Sequence, residues 1–247
     1  MSEMRQDTTS VVESKEPQKR GGMGVAETLG VALLIGFAGY AALFIAPTER
    51  TMGIIQRIFY FHVPSAWTGF VAFFITFVAS IAYLRSRKLK WDRLAVSAAE
   101  IGVAFFTIVL ITGPIWARPV WGIWWTWDAR LTSSFVLWLL FVCYLLLRRL
   151  VDEPERRAVL SAVFGIFASF DIPLVYFSIW LFRTQHPQPV IGAGGALDPR
   201  MRNVLLICWA ALLGVMVLLI RQRYRLETLR HKVEELRTES ARRSDWA

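Results

Sequence analysis

Two histidines and a run of tryptophans are the residues here whose types could do chemistry. His62 lies in Tyr60-Phe61-His62-Val63-Pro64 and His186 in Arg183-Thr184-Gln185-His186-Pro187, while Trp116, Trp121, Trp124, Trp125 and Trp127 crowd a single fifteen-residue stretch ending at Arg130. One or two tryptophans near a membrane surface are ordinary anchors, because indole favours the headgroup layer. Five in one stretch exceed that need and offer broad, rigid contact area to a flat apolar ligand. A lone loop histidine is more often an ordinary polar residue than a ligand. A pair beside a tryptophan platform shifts that balance toward metal binding, since imidazole ligates metals readily.

The metal this pair suits is one that arrives with most of its ligands. Zinc takes three or four protein ligands, and no third His or Cys accompanies His62 and His186. Haem iron already holds four ring nitrogens, so two axial imidazoles from separate helices complete it. Haem propionates need cations, and Arg57, Arg118, Arg130 and Arg183 flank the same stretches. Guanidinium binds carboxylate in bidentate fashion. Arg57 and Arg130 are favoured because each stands at an expected helix mouth, although an arginine there also serves simply by snorkelling to the interface. Asp128 either orients Arg130 or a Trp N–H, or caps a helix opening at Arg130-Leu131-Thr132.

The elements that must position these residues are membrane helices. The chain is 55% hydrophobic with a mean hydropathy of +0.44, too apolar for a wetted soluble domain. Its net charge of +9 comes from short basic clusters between long apolar runs, a pattern set by membrane orientation rather than nucleic acid. Six runs, at 25–46, 65–84, 95–115, 131–147, 158–181 and 203–220, reach the length of about 20 residues that crosses a bilayer. Lipid cannot satisfy open backbone, so these are expected to be helices, giving an all-α bundle of six transmembrane helices. The first run is longer than a signal-peptide core.

Lysine and arginine fix the expected orientation. The interhelical loops split nine cations against seven, and the leader and tail add twelve to the richer side, so both termini are expected to be cytoplasmic. The stretches at 47–64, 116–130 and 182–202 then face outward together. Residues 1–24 read as a flexible leader, 25–220 as the membrane domain, and 221–247 as a cytoplasmic tail. Leu226, Leu229, Val233 and Leu236 there recur at amphipathic spacing. His231 belongs to this tail, on the wrong side for the haem site. Cys143 and Cys208 lie in apolar runs with no CxxC spacing, so free thiols are expected.

The segment Trp121-Gly-Ile-Trp124-Trp125-Thr-Trp127-Asp128-Ala129-Arg130-Leu131-Thr132-Ser133 resembles the WWD signature of haem-handling proteins of cytochrome c biogenesis. Its Asp-Ala-Arg-Leu-Thr continuation is similar to the haem exporter protein C (CcmC) family of the system I pathway. So are Phe59-Tyr-Phe-His62-Val-Pro64-Ser-Ala-Trp67 and Asp171-Ile-Pro173-Leu-Val-Tyr176-Phe-Ser178, and together these cover roughly residues 25 to 220. The resemblance implies that His62 and His186 ligate the iron of haem b while Trp121, Trp124, Trp125, Trp127 and Asp128 carry the macrocycle. It further implies an inner-membrane location with the haem site periplasmic, delivery to the haem chaperone CcmE, and assembly with CcmD and the ABC-transporter subunits CcmA and CcmB. Where the family has a tryptophan pair and Arg-Thr-Leu-His-Gln, this chain has Leu181-Phe182-Arg183-Thr184-Gln185-His186-Pro187.

Two other functions compete. A transporter moving haem through its own bundle would need several polar residues at mid-membrane, and Asp171 is the single candidate, more readily read as a protonated or paired packing residue. A cytochrome c haem lyase subunit would carry a different continuation after the tryptophans. No Gly-x-x-x-x-Gly-Lys phosphate loop is present, so ATP use would fall to partner subunits.

Overall fold

The computed structural model describes residues 21–182, 184–186 and 197–244. Among them the chain forms α1 (Gly21–Tyr40, closed by a π-turn over Ala41–Ile45), a 3-10 turn (Ile54–Ile58) running into α2 (Phe59–Ser86), α3 (Leu89–Trp121), α4 (Ala129–Leu150), α5 (Pro154–Ser169), α6 (Asp171–Leu181) and α7 (Pro199–Ser244). No strand occurs among the described residues. Six helical spans are long and apolar enough to cross a bilayer, with α5 and α6 forming one of them. The all-α, six-span expectation is met. The leader expected over 1–24 lies outside the described residues up to position 20.

Several boundaries differ from the sequence reading, each for a local reason. The second helix is expected over 65–84, yet α2 begins at Phe59 and holds Pro64 inside it. A proline only six residues into a helix forfeits one backbone bond near an end that is poorly bonded anyway. Likewise α3 continues through Pro114 and Pro119 to Trp121. It stops at Gly122, whose φ of +80° is the left-handed cap glycine supplies; its N–H donates to the Arg118 carbonyl at 3.0 Å. At 33 residues, α3 is roughly 50 Å long. The expected fifth helix breaks at Phe170, and one carboxyl oxygen of Asp171 is buried there without a hydrogen-bond partner. The amphipathic tail continues the last span as a single 46-residue helix.

Close packing of α2 on α3 sets the register for everything else. Phe106 fills the space above Gly69, and Phe73 fills the space above Gly102, so each glycine on one helix receives an aromatic ring from the other. Phe73 also stacks face to face on Phe141 of α4, 3.7 Å between centroids. The Thr76 hydroxyl lies 3.3 Å from the Ala95 carbonyl further along the same seam. In this antiparallel register, position 62 falls opposite 112 and 113.

The two ends of the bundle differ in chemistry. At one end Arg148 makes a buried bidentate pair with Asp92, at 2.6 and 2.9 Å, Arg223 pairs with Glu100, and Arg221 pairs with Glu27 of α1. The other end carries the connections 46–53 and 122–128 and the described residues 184–186, and with them the candidate site.

Candidate functional site

His62 stands on the fourth residue of α2, not in a loop before it, and is 7% exposed. Its Nδ1 lies 2.8 Å from the Thr112 hydroxyl of α3, as the seam register requires. The ring meets Trp116 edge to face at 5.7 Å and lies over Gly113, where an added Cβ would come to 3.4 Å from Cε1. Phe59, one turn before His62, packs against the same Trp116. No hydrogen bond reaches the His62 Nε2 among the described residues.

His186 is half-buried at the same end of the bundle, and its backbone N–H donates to the Thr184 hydroxyl at 3.1 Å. His186 and Arg130 both lie within electrostatic range of the His62 ring. Three of the expected site residues therefore converge: one from α2, one from the opening of α4, and one from the segment after α6. Arg183 and Pro187 lie outside the described residues.

Asp128 turns out to be the N-cap of α4. One carboxylate oxygen accepts from the backbone N–H of Arg130 and of Leu131, both at 3.0 Å, and the other accepts from the Thr126 hydroxyl at 2.9 Å. That leaves the Arg130 guanidinium to reach elsewhere. It donates to the carbonyls of Val175 and Tyr176 on α6, tying the start of α4 to the helix that leads into His186. Arg57 is turned the other way: it donates to the Ala42 carbonyl in the π-turn and to the Thr48 hydroxyl at 3.2 Å. Nothing brings Arg57 beside His62 among the described contacts, whereas Arg130 lies within electrostatic range of it.

The tryptophans divide between helix and connection. Trp116 and Trp121 belong to the last turns of α3, where the sequence reading had placed them in a loop; only Trp124, Trp125 and Trp127 occupy the 122–128 connection. Trp124 and Trp127 are well exposed, at 59% and 75%. Trp125 is half-buried, meets Trp127 edge to face at 5.7 Å, and has a buried Nε1 without a hydrogen-bond partner. Trp125 and Trp127, with Thr107, Leu110, Ile111, Phe135 and Trp138, line an apolar cavity of about 420 Å³. Trp138 donates to the Thr107 hydroxyl at its base, at 2.9 Å. Thr107, Leu110 and Ile111 occupy a different face of α3 from Thr112, Gly113 and Trp116, given 3.6 residues per turn. Trp116 is therefore the indole against His62, and the other four are arrayed around the same end.

Sequence reasoning had not singled out Thr112, Gly113 or the pairing of Trp116 with His62. Helical spacing was the available signal. Thr112 and Trp116 are four residues apart and share one face of α3, as Phe59 and His62, three apart, share one face of α2.

The comparisons with known proteins agree with this architecture. The family model described as Heme exporter protein C matches residues 21–239. A protein named Heme exporter protein C from Bradyrhizobium diazoefficiens is 36% identical over 201 residues, covering 81% of this chain and 76% of its own. A putative cytochrome c biosynthesis ccmC-like mitochondrial protein of Marchantia polymorpha is 31% identical over 170 residues, 66% of this chain and 72% of its own. The Heme exporter protein C of Escherichia coli is 34% identical over 162 residues, 65% of each chain. With the family match spanning nearly all of the described helices and the six-span bundle in place, the chain belongs to the Heme exporter protein C family.

Proposed function

We infer that this chain holds haem b at the outward face of the inner membrane and passes it to the chaperone CcmE for cytochrome c maturation. The observation that carries this reading is the state of His62: Nδ1 is engaged by Thr112, Nε2 has no partner among the described residues, and His186 and Arg130 lie in electrostatic range. His62 and His186 would hold a haem there by offering imidazole nitrogens to its iron.

The residues fit such a guest. His62, only 7% exposed, offers its second nitrogen from a packed wall. His186, on the segment after α6, would supply the second imidazole. Arg130 can exchange one of its two carbonyl contacts on α6 for a propionate. Trp121, Trp124, Trp125 and Trp127 form the apolar rim of the same end; the high exposure of Trp124 and Trp127 leaves indole faces for a flat ligand or for the headgroup layer. Asp128 acts through the helix it caps. Arg57 supports the α1 end and contributes to propionate binding only if it leaves the Ala42 carbonyl.

The cation-rich end, with Arg148, Arg221 and Arg223, is assigned to the cytoplasm, placing both termini there and the histidines at the periplasmic surface. CcmA, CcmB and CcmD are the partners this reading expects, with ATP use left to them. The test is optical. Purified in detergent after co-expression with CcmE, the wild type should show a low-spin, two-imidazole haem spectrum. His62→Ala and His186→Ala should each lose haem or turn high-spin. Unchanged Soret and α/β bands in both variants would sink the assignment.

A further inference from the structure

We propose that Thr112 is a positioning residue that fixes the tautomer of His62, keeping the proton on Nδ1 so that the Nε2 lone pair is left for iron. The inference rests on the axial-ligand reading above and adds to it a group on a different helix.

The argument is a count of hydrogens. A threonine hydroxyl has one proton to give and two lone pairs to receive with. Thr112 lies 2.7 Å from the Ile108 carbonyl one turn back on α3 and 3.5 Å from the Val109 carbonyl. Carbonyl oxygens only accept, so the hydroxyl proton is spent on Ile108. What Thr112 then turns toward His62, at 2.8 Å, is a lone pair. An unprotonated Nδ1 would bring two lone pairs together in a site where the ring is 7% exposed and burial makes an unmatched polar contact costly. A protonated Nδ1 makes a hydrogen bond instead. The neutral ring carries a single proton, so Nε2 is left bare.

This matters because free histidine prefers the opposite tautomer, with the proton on Nε2, the form unable to ligate through that nitrogen. The ring is also held in plane. Trp116 meets it edge to face at 5.7 Å, and the Gly113 backbone passes beneath Cε1. Partners that orient a ligating histidine through its other nitrogen typically account for 10- to 100-fold in metal affinity. An acceptor on Nδ1–H also makes the imidazole more electron-donating, which favours the ferric state and lowers the reduction potential.

The experiment compares full-length wild type with Thr112→Val, which keeps the shape and removes the acceptor, and Thr112→Ser, which restores it. Histidine ¹⁵N spectra of the haem-free protein in micelles, with His62 assigned by loss of its signals in His62→Ala, read the tautomer directly. Haem titration and the midpoint potential of the loaded protein read its consequence. Wild type and Thr112→Ser should show His62 protonated on Nδ1. Thr112→Val should move toward the Nε2–H form, bind haem about 10-fold more weakly or worse, and shift to a higher potential. Unchanged ¹⁵N signals in Thr112→Val would overturn the tautomer lock. A tautomer change with unaltered haem affinity and potential, in a protein whose His62→Ala variant does lose haem, would overturn the positioning role. If His62→Ala keeps haem with its spectrum intact, the ligand reading fails and the positioning role fails with it, whatever the ¹⁵N spectra show.

Discussion

Phe73 of α2 occupies the volume that any side chain at Gly102 of α3 would need: a Cβ built there comes within 2.5 Å of the ring. The ring cannot retreat, because it is fully buried and stacked on Phe141. Gly69 and Phe106 repeat the relationship with the helices exchanged. His62 meets Thr112 because the same seam continues to that end of the bundle.

Gly102→Val is therefore expected to destabilise the bundle by about 1–3 kcal/mol, the usual cost of overpacking, read as a lower unfolding midpoint in detergent. Since the seam sets the 62–112 register, haem occupancy should fall with it. Gly113→Ala is the control. Its Cβ makes only ordinary contact with the His62 ring at 3.4 Å, so stability and haem spectrum should both hold.

At the opposite end, Asp92 and Arg148 form a bidentate pair whose side chains are 6% and 11% exposed. Asp92→Ala leaves a buried guanidinium without its counter-ion, which costs about 3–5 kcal/mol. The haem spectrum of the fraction that still folds should match wild type, because the pair is remote from the histidines. A folded Asp92→Ala protein with an altered Soret band would show that the two ends are coupled.

For Asp128, capping and ligand contact predict different outcomes. Asp128→Ala should lose about 1 kcal/mol as α4 loses its N-cap, and haem retention should drop as Arg130 shifts. Asp128→Asn keeps an oxygen for the Arg130 and Leu131 N–H groups and an amide for Thr126, so it should retain both properties. Haem titration of the two variants side by side decides between a cap and a charge that acts on the ligand.

Arg130→Lys keeps the charge but replaces the planar guanidinium whose Nη1 donates to the Val175 and Tyr176 carbonyls of α6 with a shorter ammonium of different geometry. Loosening α4 from α6 is expected to cost about 1–3 kcal/mol. It should weaken haem binding further, because α6 leads directly to the His186 segment. Equal losses in stability and haem affinity would mean that the arginine serves only as a helix tie.

Much of the architecture was legible because the bilayer imposes it. A run of about 20 apolar residues has few alternatives to a spanning helix: five of the six expected runs fall inside spans, and the first overruns its span by one residue. Asp128 before Ala129-Arg130-Leu131 is a local capping pattern, and local patterns survive into structure: the carboxylate accepts from Arg130 and Leu131. Helix ends were less legible: α2 and α3 run past the expected 65–84 and 95–115, and Pro64, Pro114 and Pro119 are tolerated inside them.

Residue types and spans came from the chain itself: two histidines with no third ligand nearby, indoles gathered after α3, and cations gathered at one end. Packing alone decided which neighbours they acquired. His62 finds Thr112 fifty positions away because glycine–phenylalanine contacts lock α2 on α3. Trp116, rather than the more conspicuous Trp124 or Trp127, faces it because a helix turns its side chains through a fixed angle per residue. Sequence patterns report a residue's own helix and face; only helix-on-helix contact determines what that face meets.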